Sequence, residues 1–272
     1  MRLTCLLLLG AILLVVSCHP FITTSIRKEN SYDSLAHYSY LITTMDKRHK
    51  DTSVSTGFFI RKGDTLWLVS AYHVFTNWSL YEGKFASSVR PAFLDVWYKN
   101  ADSQIKTLSF PLPQHPDSFY KKLGTQVDYD TIRLSSNFKE KGIYSIEKMA
   151  PRGEEVNNRE KDTVTAYGYS NVSLQDLGGM TTGRLPQPTN YISRVKKMAR
   201  VYRNDHKKDQ VGIAYFFSAP PLHKGASGAP IFRLRTDSTG VKKVEFVGVQ
   251  SGSNRDSTRS MMVRFTEVHK VL

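Results

Sequence analysis

From about Ser53 onward the chain is a succession of short runs rich in β-branched and aromatic residues, each closed by a turn signal. Gly57-Phe58-Phe59-Ile60 passes through Arg61-Lys62-Gly63-Asp64 into Thr65-Leu66-Trp67-Leu68-Val69-Ser70. Apolar runs of this length on either side of a Lys-Gly-Asp turn read as strand, turn, strand. Further strands are expected at 93–98, 130–134, 163–168, 212–217, 230–234 and 244–249. Sustained helical periodicity is scarce, and one short helix is expected at 265–272. Many short strands with few helices indicate an all-β sandwich or barrel.

The 272 residues are 40% hydrophobic and 23% charged, an ordinary globular balance. Length allows one or two domains, and two small barrels sharing an interface would fit. The net charge of +14 raises the question of nucleic acid or an anionic membrane surface. The basic residues are spread along the chain. Their densest clusters are Arg194, Lys196, Lys197 and Arg200, then Arg203, Lys207 and Lys208, the latter mixed with Asp205 and Asp209. These read as solvated loop surface, and with no accompanying nucleic-acid motif no nucleic-acid partner is expected.

Residues 1–18 have the layout of a secretory signal: Arg2, an apolar run from Leu3 to Val16, then Ser17-Cys18. The run is short for a membrane span. Val15-Val16-Ser17-Cys18 resembles a bacterial lipobox, which would make Cys18 the lipidated first residue of an exported, envelope-anchored lipoprotein. Cys5 and Cys18 are the only cysteines and both fall in this leader. A mature domain without disulfides leans toward a bacterial envelope protein, since oxidising compartments favour them in secreted domains. Residues 19–35 read as a polar tether.

Three segments carry residues suited to chemistry, in the order His, Asp, Ser. In Gly225-Ala226-Ser227-Gly228-Ala229-Pro230, glycines flank a serine. They permit a turn in which the N–H groups of Gly225 and Ser227 converge on one point, where an oxyanion would rest. A serine hydroxyl needs a base to take its proton. Ala71-Tyr72-His73-Val74, at the exit of an apolar strand, offers one with a suitable pKa. The base in turn needs a carboxylate to orient it. Asp130 opens the alternating run Asp130-x-Ile132-x-Leu134 and is the expected partner. Asp128, two residues earlier on the same strand face, competes with it, and Asp95 is a weaker alternative.

Taken in order, Thr56-Gly57-Phe58-Phe59-Ile60, Ala71-Tyr72-His73-Val74, Asp130-Thr131-Ile132-Arg133-Leu134, Gly225-Ala226-Ser227-Gly228-Ala229-Pro230 and Gly248-Val249-Gln250-Ser251-Gly252 span about 53–265. In this combination the chain resembles trypsin-like serine peptidases of the chymotrypsin fold, of the bacterial type. The resemblance implies two antiparallel six-stranded β-barrels, with the active site in the cleft between them. It implies His73 as general base, Asp130 as orienting acid and Ser227 as nucleophile, with Gly225 and Ser227 N–H groups as the oxyanion hole. Gln250, Ser251 and Gly252 would pair with the substrate backbone and wall the pocket for the residue before the scissile bond. Tyr72 departs from the small residue usual before the histidine. Ser218-Ala219-Pro220-Pro221 at the expected pocket base offers no acid for a basic side chain, and no histidine stands at Gln250 for an acidic one.

The expected organisation is therefore a leader (1–18), a tether (19–35), an N-terminal barrel (36–145) and a C-terminal barrel (146–272). The expected activity is endopeptidase hydrolysis of a protein or peptide substrate through an acyl-enzyme, with no metal or organic cofactor. A latent binding or scaffold module of the same fold, and an esterase using the same triad, are the alternatives.

Overall fold

The computed structural model describes residues 32–79, 83–116, 128–134, 142–146, 161–170, 172–177, 184–201, 213–221, 225–236, 240, 242–253 and 259–264. The leader with Cys18, most of the tether, the helix expected at 265–272 and the basic cluster from Arg203 to Lys208 lie outside these residues. The chain forms two compact units, Met1–Leu35 and Ala36–Leu272. The first is described only at 32–35, within a 3-10 helix, Tyr32–Tyr38.

Among the described residues the second unit holds fourteen strands. The first eight are β1 (Tyr40–Met45), β2 (Asp51–Lys62), β3 (Thr65–Ser70), β4 (Trp78–Ser79), β5 (Lys84–Phe85), β6 (Phe93–Lys99), β7 (Ile105–Pro111) and β8 (Asp130–Arg133). Six of them form one antiparallel sheet in the order β7-β6-β1-β2-β3-β8, while β4 and β5 pair separately. The remaining six are β9 (Thr163–Gly168), β10 (Thr189–Val201), β11 (Ile213–Ala219), β12 (Pro230–Thr236), β13 (Lys242–Ser253) and β14 (Ser260–Arg264). These close into a barrel, β10-β11-β14-β13-β12-β9, with β9 returning to pair with β10. Two short helices, α1 (Tyr72–Thr76) and α2 (Leu174–Leu177), complete the described elements.

Strand β2 shows why this sequence specifies two packed layers. Its residues from Ser55 to Ile60 are all buried, where a strand with one solvated face would alternate. Phe59 points into the core of the first sheet with Ile42, Leu68, Leu94 and Val96. Phe58, on the opposite face, meets Phe246 of the barrel at a ring-centroid distance of 5.2 Å. Truncating a fully buried phenylalanine such as either of these costs about 3–5 kcal/mol. Gly57, just before them, lets β1 approach: a Cβ there would stand 2.3 Å from Ile42 Cδ1.

The expected strands are all present among the described residues, and six others join them. β10 corrects the loop reading of the first basic cluster. Ser193 and Val195 are buried while Arg194 and Lys196 are exposed, so these charges form the outer face of a long strand. Arg233 on β12 is buried and bonded to Asp162 at 2.5 Å and Glu245 at 2.6 Å, which offsets the desolvation of its charge.

Candidate active site

His73 is delivered by the corner between β3 and α1. Ala71, extended at φ −69° and ψ 143°, stops the strand and caps the helix. Asn77, left-handed at φ 59°, closes it by donating its N–H to the His73 carbonyl at 2.8 Å. Tyr72 is buried against Trp78, so its bulk seats the helix and leaves His73 on the open side.

The imidazole Nδ1 lies 3.2 Å and 3.0 Å from the two carboxylate oxygens of Asp128. The His73 backbone N–H also donates to Asp128 Oδ1 at 3.1 Å. Ser251 Oγ, reaching over from the closed barrel, donates to Asp128 Oδ2 at 2.5 Å. Asp128 is buried, with 6% of its surface exposed. Burial alone would raise its pKa, but the charge of His73 and the hydrogen bonds from His73 and Ser251 outweigh it and hold the carboxyl below its ordinary value. Burial likewise depresses the His73 pKa, and the Asp128 charge and hydrogen bond overcome that and leave it raised. With Nδ1–H donated to the carboxylate, Nε2 carries the lone pair of the neutral ring.

The carboxylate on His73 is therefore Asp128 and not Asp130, which corrects the assignment drawn from strand alternation. Register explains the difference. Asp130 pairs with Ser70, three residues short of His73, and in an antiparallel ladder each step toward the histidine is a step back along β8. Asp128 lies beyond the last pair, level with α1. Asp130 instead accepts the N–H of Thr131 at 2.7 Å. It lines a cavity of about 280 Å³ with Tyr72, Phe75, Leu112, His115 and Ile132. Burial raises its pKa there, opposed by the Thr131 N–H and the charge of His115. Asp95, the weaker alternative, sits on β6 opposite Thr43 of β1.

The turn bearing Ser227 rests on the same corner. Gly225 and Gly228 adopt φ of +86° and +84°, the region that only glycine enters freely. A Cβ on Gly225 would meet the Tyr169 carbonyl at 2.5 Å. A Cβ on Gly228 would meet Ser70 Oγ at 2.0 Å and the Thr56 carbonyl at 2.1 Å. Thr56 donates its N–H to the Ser227 carbonyl at 3.0 Å, and Ser70 Oγ donates to the Thr56 carbonyl at 2.7 Å. The serine turn is thus braced on Thr56 of β2, which is held in turn by Ser70 of β3, three residues before His73. Ala229 N–H closes the turn on the Ala226 carbonyl at 2.9 Å.

Gln250, Ser251 and Gly252 divide differently from expectation. Gln250 accepts the Gly228 N–H at 2.7 Å and donates to the Ala229 carbonyl at 2.9 Å, so its backbone supports the serine turn and not a bound chain. Its side-chain amide donates to the Gly252 carbonyl at 2.9 Å. Ser251 spends its hydroxyl on Asp128. A bulge between Gln250 and Gly252 allows this by turning Ser251 out of the β13–β14 ladder. Neither Thr56 as a brace nor Ser251 as a carboxylate donor was assigned from sequence; both need contacts between residues more than a hundred positions apart.

Among the described residues no group of three metal-ligating side chains is present. No family model matches the chain, and no curated protein matches it. Solved structures do. The inactive form of the Rv3671c protease of M. tuberculosis is 14% identical over 91% of this chain and 93% of its own, with a TM-score of 0.50. Deg5 is 14% identical over 91% and 93%, with a TM-score of 0.48. A serine endoprotease from Yersinia pestis is 12% identical over 89% and 65%, with a TM-score of 0.49. At these identities the likeness to the Rv3671c structure is one of fold, and the chain has the chymotrypsin-like architecture: a closed six-stranded barrel beside a curled six-stranded half-barrel.

Proposed function

We propose that this chain is a serine endopeptidase, with Ser227 as nucleophile, His73 as general base and Asp128 as its orienting acid. The observation that carries the reading is the Asp128 carboxylate, held by His73 on one side and Ser251 on the other, together with a glycine-flanked serine turn braced on Thr56 of β2. His73 Nε2 takes the Ser227 proton as Oγ attacks a peptide carbonyl. The resulting oxyanion is stabilised by the N–H groups of Gly225 and Ser227. His73 then protonates the leaving amine, and water, activated by the same imidazole, hydrolyses the acyl-enzyme. Asp128 stabilises the imidazolium in both halves of the cycle.

The trypsin-like subtype and the pocket belong to this proposal. Ser218, Ala219, Pro220 and Pro221 carry no charge, which favours an uncharged or small residue before the scissile bond. The lipobox-like leader favours export and a lipid anchor at Cys18, with the basic surface assisting at anionic headgroups; stable anchoring takes more than one acyl chain. A Cys18→Ala protein that stayed in the membrane fraction would contradict the anchor.

The test of the activity is labelling by a fluorophosphonate probe at neutral pH. Wild-type protein is expected to react and to cleave a peptide library, while Ser227→Ala folds normally and does neither. Folded wild-type protein that refuses the probe would leave the latent-scaffold reading. Cleavage of short esters with no peptide cleavage would leave the esterase.

A further inference from the structure

We infer that Thr56 is the positioning residue that holds the Ser227 turn in its oxyanion-binding shape, an inference that rests on the endopeptidase reading above. Thr56 is fully buried, and all of its polar groups are engaged. Its N–H donates to the Ser227 carbonyl at 3.0 Å, and its Oγ1 donates to the Gly225 carbonyl at 2.7 Å. That same Oγ1 accepts the Tyr169 N–H at 3.0 Å, and the Thr56 carbonyl accepts Ser70 Oγ at 2.7 Å. A carbonyl cannot donate, so the single hydroxyl proton is committed to Gly225, and the Tyr169 N–H occupies a lone pair of the same oxygen.

The two carbonyls held by Thr56 lie on either side of one peptide, that joining Ala226 to Ser227. The N–H of this peptide is one of the two oxyanion donors. A peptide plane turns only by rotating the bonds at its two flanking α-carbons. Thr56 pins the peptides before and after this plane, and the plane's own carbonyl, that of Ala226, accepts the Ala229 N–H at 2.9 Å, so the three hydrogen bonds together hold the plane. The restraint matters because Gly225, at φ +86°, has no Cβ to limit its own rotation. The side chain before the serine, the buried methyl of Ala226 packed against Gly168, adds no polar anchor of its own. The hydroxyl of Thr56 thus ties the N-terminal sheet to the serine turn.

The experiment compares wild type, Thr56→Val, which keeps the shape and removes the hydroxyl, and Thr56→Ser, which restores it. Concentrations are set by fluorophosphonate titration so that only folded, reactive sites are counted. The readouts are kcat and KM on a peptide substrate and the affinity for a peptide aldehyde, whose adduct places an oxyanion in the hole. Thr56→Val is expected to lower kcat by roughly 10- to 100-fold, less than the loss of a whole oxyanion donor. KM should stay within about twofold, aldehyde affinity should fall in parallel with kcat, and Thr56→Ser should recover most of both. Unchanged kcat and aldehyde affinity in Thr56→Val would overturn the assignment while leaving the endopeptidase reading standing. A loss that Thr56→Ser fails to recover would overturn it too, as an effect of packing. A wild-type protein inert to both probe and aldehyde would overturn the two readings together.

Discussion

Ser251 and Asp128 meet across 123 positions of sequence, the hydroxyl of one donating to the carboxylate of the other at 2.5 Å. The contact joins β13 of the closed barrel to the segment that carries the acid of the N-terminal half. It supplies the carboxylate with a third donor besides the His73 ring and backbone. A hydrogen bond to a charged acceptor contributes about 1.5–3 kcal/mol. Ser251→Ala is therefore expected to lower kcat/KM by roughly tenfold. It should also raise the pKa of Asp128. A carboxyl whose folded pKa is depressed contributes stability above its unfolded pKa and loses it as pH falls through the folded one. The variant should then unfold at a higher pH than wild type during acid titration, and coincident acid transitions would show that the bond is idle.

Asp128 and Asp130 make opposite predictions. Asp128→Asn leaves His73 without the charge that stabilises its imidazolium, and kcat should fall about 10⁴-fold. Asp130→Asn removes a carboxylate that faces a cavity and, among the described residues, accepts its neighbouring N–H rather than a bond from His73, so activity should stay within a few-fold of wild type. Steady-state kinetics on the two purified variants decide between them; a collapse in Asp130→Asn alone would reinstate the acid read from the strand pattern.

The raised pKa of His73 fixes the acid side of the pH profile. Burial opposes the charged ring, but the Asp128 charge and hydrogen bond prevail. The base is active only when neutral, so kcat/KM should decline as pH drops through a value above the ordinary histidine pKa of about 6.5. For stability the sign is reversed: the His73–Asp128 contribution to the histidine is complete below the unfolded pKa and is lost as pH rises through the folded one. Titration of the imidazole by NMR in Ser227→Ala, repeated with Asp128→Asn added, should show the midpoint move down. An unmoved midpoint would mean that Asp128 does not set it.

Much of this site was legible in sequence because its chemistry is local. A glycine-flanked serine and a histidine at a strand exit are recognisable without knowing what they touch. Strands such as 93–98, with its alternation of half-buried and buried residues, announce themselves by period. The failures share one cause. Asp130 won over Asp128 because alternation along one strand was the available signal, whereas the histidine partner is chosen by cross-strand register, which involves a second strand. The charges of Arg194 and Lys196 suggest a loop; their place on an outward strand face depends on β9 and β11 pairing on either side. Thr56 and Ser251 were read only as parts of motifs, since a hydroxyl's role lies in the distant group it meets.

Gly228 offers the sharpest test of the packed corner. It has φ +84°, so any side chain there carries a left-handed backbone penalty of about 1–2 kcal/mol. Gly63, at φ +58° in the β2–β3 turn, carries the same penalty, but a Cβ there meets nothing within 4 Å. Comparing Gly228→Ala with Gly63→Ala therefore separates backbone strain from contact. At Gly228 the new methyl would stand 2.0 Å from Ser70 Oγ and 2.1 Å from the Thr56 carbonyl, and the second of these is main chain that cannot swing aside. Relief requires breaking the Ser70–Thr56 bond or displacing the serine turn from β2. Gly63→Ala is expected to destabilise by about 1–2 kcal/mol with probe reactivity intact. Gly228→Ala should destabilise by about 3 kcal/mol or more, in the range seen for overpacked interiors added to backbone strain, and should lose fluorophosphonate labelling. Urea unfolding of both variants beside wild type measures the difference. Equal midpoints for the two would mean that the serine turn does not press on β2 and β3, and the bracing of Ser227 by Thr56 would fall with it.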